Sequence, residues 1–170
     1  MTQPLTHPSA EEIRNKIDQA LVQLIERDGY LLQIDANERA ISHRLGIYLQ
    51  LLFEDWDVDC EYNRNLDDPK RIKTVKGFLD TKYYERGIAE TEAITVFPDI
   101  IIHKRGTHNN LLVIEMKKTT SQVDDRFDHY KLREFKYQLK YPYAIFIKLI
   151  TKQEKIGVAI KEYIEDQGSF

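Results

Sequence analysis

The sequence predicts an α/β sandwich built on a mixed sheet, and three observations carry that prediction. Apolar residues recur at helical spacing in two N-terminal stretches and again around residue 130. Near-continuous aliphatic runs at Val96–Ile102, Leu111–Met116 and Tyr143–Ile150 have the character of strands covered on both faces. The resulting order, α-α-β-(insert)-β-β-α-β-α, interleaves the two kinds of element and calls for a sheet packed by helices.

The first helix starts at Ser9, where Ser9-Ala10-Glu11-Glu12 has the form of a capping box. Ile13, Ile17, Ala20, Leu21, Leu24 and Ile25 then make one apolar stripe, and Asp28-Gly29 is expected to end it, with Gly29 left-handed after the last turn. A second helix begins after Asn37 as N-cap, with Glu38, Ile41, Leu45, Tyr48, Leu49 and Leu52 on a shared face. Gly46 costs that helix up to about 1 kcal/mol relative to alanine, which points to close packing or backbone approach there.

Trp56, Val58, Cys60 and Tyr62 alternate with Asp57, Asp59 and Glu61, the period-two pattern of a half-buried strand. From Asn63 to about Ala93 the pattern breaks down. Asp67-Asp68-Pro69 reads as a turn, and Lys70, Arg71, Lys73, Lys76, Lys82 and Arg86 make this insert basic, with Tyr83 and Tyr84 among them. A strand over about Ile94–Lys104 follows, then a turn at Arg105–Asn110 and a strand from Leu111 to Lys117. A third helix fits Asp124–Leu139, because Tyr141-Pro142 disfavours its continuation. Tyr143–Ile150 is a further strand. Ile156, Ala159, Ile160, Tyr163 and Ile164 fit a final helix, or a strand beginning at Ile156.

The 170 residues are expected to form one domain, 1–170, with an N-terminal helix over 9–29 and a basic insert over about 63–93. Such a chain buries about 70% of its unfolded surface and needs no disulfide to hold a core. The single cysteine, Cys60, excludes an intramolecular disulfide and any multi-cysteine zinc site. Basic and acidic residues number 25 and 28, for a net charge of −3, which argues against binding through gross positive charge but not against a local basic groove. No apolar run approaches the ~20 residues of a membrane span, and the N-terminus lacks the basic and apolar regions of a signal peptide. The expectation is a soluble, cytoplasmic protein.

Charged residues interrupt the apolar strands at their ends. Side chains two apart on a strand share a face, so Asp99 lines up with Ile101, and Glu115 with Val113 and Lys117. If the two strands pair through the short turn, Asp99 and Glu115 come together far from it. Two carboxylates in a partly buried site raise one another's pKa unless a cation lies between them. Hard oxygen ligands of this kind suit Mg²⁺, which takes one or two protein carboxylates and keeps several waters. Lys117 would project beside them, able to orient a water or to stabilise developing negative charge. The bland alternative is that strand ends commonly carry charges.

Pro98-Asp99 and Glu115-Met116-Lys117, set on a strand–turn–strand, resemble the PD-(D/E)xK, or restriction-endonuclease-like, nuclease superfamily. The resemblance implies a three-layer α/β/α sandwich with an αβββαβ core, matched here from Asn37 to about Ile150. It implies metal binding by Asp99 and Glu115, with the Met116 main-chain carbonyl as an additional ligand and Lys117 assisting the attacking water. Glu38 fits the helix glutamate that often joins the family's site, or is simply a favourable charge in a helix's first turn. Asp128-His129-Tyr130-Lys131-Leu132 resembles an Asp-x-x-Lys-Leu form found in the family, so Lys131 is either a site or phosphate-contacting residue or a solvated lysine. The implied activity is metal-dependent hydrolysis of nucleic acid, most simply as a DNA endonuclease, with Mg²⁺ as cofactor and Mn²⁺ as its substitute. The alternative is a nuclease-fold module that binds nucleic acid without turnover. A homodimer is the geometric expectation if both strands of a duplex are cut.

The insert has no general counterpart in that superfamily. Its cations, Lys70, Arg71 and Lys73 first among them, either track phosphates, with Tyr83 or Tyr84 stacking on bases, or form a solvated loop. His7, His43, His103, His108 and His129 show no metal-ligand spacing, and His103 stands about 13 Å along the strand from Asp99. No P-loop, nucleotide-binding glycine motif or serine-nucleophile elbow appears.

Overall fold

The structure, a computed structural model, describes residues 7–62, 64–65, 68–75 and 91–165. Helix α1 (Ala10–Gln33) opens on the expected capping box: Ser9 Oγ accepts from the Glu12 N–H at 3.2 Å, and Glu12 Oε2 accepts from the Ser9 N–H at 2.7 Å. The helix does not end at Asp28-Gly29. Asp28 leaves helical dihedrals (φ −120°, ψ 17°), but the chain regains them and runs on to Gln33. The Asp28 carboxylate accepts from Arg44 Nε at 2.8 Å and from the Tyr48 hydroxyl, so the kink is anchored to the next helix. Gly29 keeps a negative φ here, and its lack of a side chain serves packing: a Cβ would lie 2.8 Å from Ile156 Cδ1.

Helix α2 (Glu38–Leu52) is capped as expected, with Asn37 Oδ1 accepting from the Ala40 N–H at 2.8 Å. Ile41, Leu45, Tyr48 and Leu49 form its buried face. Gly46 is needed because a Cβ there would meet Cys60 Sγ at 2.9 Å.

The remaining elements are β1 (Asp57–Cys60), β2 (Arg64–Asn65), β3 (Asp68–Pro69), β4 (Arg71–Val75), β5 (Thr91–Thr95), β6 (Ile100–His103), β7 (Asn110–Lys118), α3 (Arg126–Leu139), β8 (Tyr143–Ile150) and β9 (Gly157–Tyr163). The five-stranded mixed sheet has the order β1-β6-β7-β8-β9. Only β7 and β8 run parallel, joined through α3, and the other neighbours are antiparallel.

Two expectations need correction, and one open alternative is decided. The final apolar stretch, which fitted a helix or a strand, is the strand β9. It pairs with the edge of β8, and a spacing that resembles a helical stripe serves a strand once a neighbour satisfies its main-chain groups. The strand expected over Ile94–Lys104 is split between two sheets. The Val96 N–H donates to Lys70 O at 3.0 Å, Pro98 has no N–H to give, and the chain rejoins the main sheet where Asp99 O accepts from the Glu61 N–H at 3.1 Å. The insert is not irregular at its described ends, since β4 and β5 form an antiparallel ribbon and β2 and β3 a short pair. Its Lys76, Lys82, Tyr83, Tyr84 and Arg86 lie outside the described residues.

Strand alternation sorts the core onto two faces. Ile100, Ile102, Leu112, Ile114, Ile145 and Ile147 pack with α1 and α2. Ile101, Val113, Ala144 and Phe146 pack with Leu132 and Phe135 of α3 and with Ile72 of the ribbon. Each fully buried aliphatic side chain contributes about 1.5–3 kcal/mol, so this alternation strongly fixes which residues face α3. Among the described residues, no helix is long and apolar enough to cross a membrane.

Candidate active site

The β6–β7 register sets Ile100 opposite Ile114 and Ile101 opposite Val113. Continued by one residue, it places Asp99 against Glu115, on the face covered by α3. Asp99 Oδ2 accepts from the Met116 N–H at 2.7 Å, tying the carboxylate to the neighbouring strand where β6 begins.

Glu115 is only 2% exposed. Its Oε2 lies 2.7 Å from Lys131 Nζ, while its Oε1 is buried without a hydrogen-bond partner among the described residues. A buried carboxylate oxygen without a donor is costly, and a proton or cation shared with Asp99 would satisfy it. Burial raises the Glu115 carboxyl well above its ordinary range; Lys131 opposes the shift and Asp99 adds to it. Burial likewise raises Asp99, against the Met116 N–H and Lys131. Two carboxyl groups and one ammonium leave this part of the site short of positive charge.

Lys131 belongs to this cluster and is not a solvated lysine. Burial works against its charge, yet Glu115, Asp99 and Asp128 together outweigh burial and hold its pKa above the ordinary lysine value. Its ammonium also reaches Phe97 O at 3.5 Å and stands 3.9 Å from Asp128 Oδ1.

Lys117 projects from β7 on the same face as Glu115 and forms a short ion pair with Asp128 of α3. Sequence reasoning gave Asp128 no role. Its signal was its position three residues before Lys131, which puts both on one helix face.

Glu38 reaches the cluster from the other face of the sheet's end. The Lys118 N–H donates to its Oε2 at 3.1 Å, and burial followed by the charge of Asp99 raises its carboxyl. A polar lock holds this helix start in place. Lys118 Nζ donates to the carbonyls of Asp35 (3.2 Å) and Ala36 (2.9 Å), and Thr120 and Thr151 donate to Asp35 Oδ1 at 2.9 and 2.8 Å. Hydrogen bonds from Thr151, Lys118 and Thr120 hold Asp35 down to about 2. This lock also went unnoticed in the sequence, because its members come from three separate segments.

The basic insert divides. Lys70 is 1% exposed, with its Nζ 4.7 Å from the centre of the Tyr62 ring, so it is not a solvated lysine. It belongs to a second polar cluster at the far end of β6. There His103 Nε2 meets Asp59 Oδ2 at 2.8 Å, and Arg105 Nε donates to the same oxygen at 2.8 Å. Burial lowers Lys70 to about 8, against the pull of Asp59, and burial also lowers His103. Arg71 is exposed on β4, and Lys73 lies on the same strand with its side chain outside the described set.

Among the described residues, no three His, Cys, Asp or Glu side chains form a ready-made metal cage. Asp99 and Glu115 supply two adjacent carboxyl groups at the end of the β6–β7 hairpin. Hard oxygen donors, a deficit of positive charge and the unpartnered Glu115 Oε1 fit a divalent cation such as Mg²⁺. Compared with known proteins, the chain matches no family model, no curated protein and no solved structure.

Proposed function

We propose that the chain is a divalent-metal-dependent phosphodiesterase that hydrolyses nucleic acid, most simply as a DNA endonuclease of the PD-(D/E)xK type. The observation that carries the reading is the buried Glu115 carboxylate, one oxygen paired with Lys131 and the other without a donor among the described residues, set beside Asp99 at the end of the β6–β7 hairpin. The order α2, β1, β6, β7, α3, β8 supports it further, because with β7 and β8 parallel it follows the αβββαβ order of that superfamily.

In this reading Asp99 and Glu115 hold the cation, with the Met116 carbonyl as an additional ligand and Glu38 at the site's edge. A bound divalent ion lowers the pKa of a coordinated water and offsets charge developing on the phosphate. Asp99 is oriented by the Met116 N–H, which fixes its carboxyl group beside Glu115. Lys117 supplies an ammonium on the same strand face as Glu115, suited to orient the attacking water. Lys131 supplies a second, placed to neutralise Glu115 or to meet a phosphate oxygen. The phosphate-facing charge is thus local, which reconciles a net charge of −3 with a polyanionic substrate.

A panel of duplex, single-stranded and branched DNA and RNA, each with Mg²⁺ or Mn²⁺, tests the proposal. Wild type should cleave at least one substrate. Glu115→Gln and Lys117→Ala should each slow that cleavage by roughly a hundredfold or more. Variants as fast as wild type would sink the assignment.

A binding module without turnover is the second reading. One observation favours it: Lys131 already neutralises one Glu115 oxygen without any metal. Affinity for nucleic acid in chelator, with no cleavage under either metal, would select it.

A further inference from the structure

We infer that Asp128 is a positioning residue for Lys117, keeping that ammonium on the α3 side of the site and out of the space between Asp99 and Glu115. The inference rests on the nuclease reading of this site. The Lys117 and Asp128 side chains are 8% and 15% exposed, and their ion pair joins β7 to α3. It differs from a surface pair, whose partners are free to separate into water.

The surrounding charges explain why the partner matters. Lys117, Asp128, Lys131 and Glu115 form an alternating chain: Lys131 Nζ lies 3.9 Å from Asp128 Oδ1 and 2.7 Å from Glu115 Oε2. Without the Asp128 charge, two ammonium groups would be left with the carboxylates of Glu115, Asp99 and Glu38. A lysine head on a flexible four-carbon stem moves readily to the nearest anion. Here those anions are the proposed cation ligands, so a released Lys117 would compete with the divalent ion and lose its place beside the water. Asp128 thus has a function without touching cation or phosphate.

Four full-length proteins test this: wild type, the near-isosteric Asp128→Asn, Lys117→Met, and the double variant, each titrated with Mn²⁺ alone by calorimetry. Asp128→Asn should weaken Mn²⁺ binding on the order of tenfold when Lys117 is present, and less than about twofold in the Lys117→Met background. Equal weakening in both backgrounds would show that Asp128 acts on the cation directly, and no weakening would show that Lys117 is held by other means; either overturns the inference. Turnover gives a second readout: Asp128→Asn should lower kcat at saturating Mn²⁺ with little change in KM, and Asp128→Glu should restore part of it. An unchanged kcat would also overturn it. Wild type that neither binds Mn²⁺ nor cleaves would remove the nuclease reading, and the inference with it. Wild type that does both, alongside an indifferent Asp128→Asn, would remove the inference alone.

Discussion

Replacing Lys70 with methionine should remove a pH dependence of stability that the buried ammonium imposes. The side chain is 1% exposed, and burial lowers its ammonium from 10.5 to about 8. Each pKa unit corresponds to about 1.4 kcal/mol, so keeping the group charged at pH 7 costs about 3 kcal/mol. The Tyr62 face, 4.7 Å away, offsets part of this. Methionine keeps the apolar length of the chain and removes the titrating group, so the stability difference between variant and wild type should move by about 2 kcal/mol between pH 7 and 9.5. The pH dependence fixes the cause. Because the folded pKa lies below the unfolded one, the unfolded chain binds more protons between pH 8 and 10.5, and wild-type stability from this group rises across that window. The stability of Lys70→Met relative to wild type should therefore fall as pH rises from 7 to 9.5. Urea unfolding at both values measures it, and an equal difference at both refutes the reasoning. Nucleic-acid affinity should not change, because the side chain is buried.

Lys131→Met leaves the buried Glu115 carboxyl without its ammonium and should destabilise the protein in chelator, by up to about 3–5 kcal/mol. Protonation of Glu115 limits the loss at low pH, so urea unfolding should show a larger effect at pH 8 than at pH 5.5; equal losses count against it. Glu115 has a raised folded pKa, so its contribution to stability is present below the ordinary value of 4.5 and fades as pH rises towards the folded value. Asp35 has the opposite sign: held down to about 2 from 3.8, it stabilises the fold above pH 3.8 and loses that contribution as pH falls through 2. Asp35→Asn should therefore flatten the acid limb of a thermal-stability profile over that range, and a limb as steep as wild type would refute the lock. Gly46→Ala places a Cβ 2.9 Å from Cys60 Sγ and should cost about 1–2 kcal/mol in denaturant unfolding, despite alanine's better helix propensity. A more stable variant would mean that α2 shifts away from β1 freely.

Local signals were legible where neighbours in sequence are neighbours in space. The Ser9 capping box, the Asn37 cap and the apolar stripes of α1 and α2 are set within one or two turns, and they appear as read. Asp99 and Glu115 could be paired on paper because a short turn and period-two alternation leave few registers. Lys131 was visible as a motif residue, but not its ion pair with Glu115, which depends on how α3 crosses β7. Asp28-Gly29 carried a true stop signal, a non-helical residue, that packing against α2 turned into a kink.

The sequence by itself determined the two capped N-terminal helices, the aliphatic strands and the carboxylates at their ends, since each follows from spacing along a short segment. Tertiary structure decided between helix and strand for the last apolar stretch, because its main chain pairs with the edge of β8. It also decided where the lysines go: Lys131 and Lys117 are drawn into the carboxylate cluster, while Lys70 is buried against Tyr62. A lysine's charge is the same in every position; its partners and its exposure to water are set only when distant segments pack together.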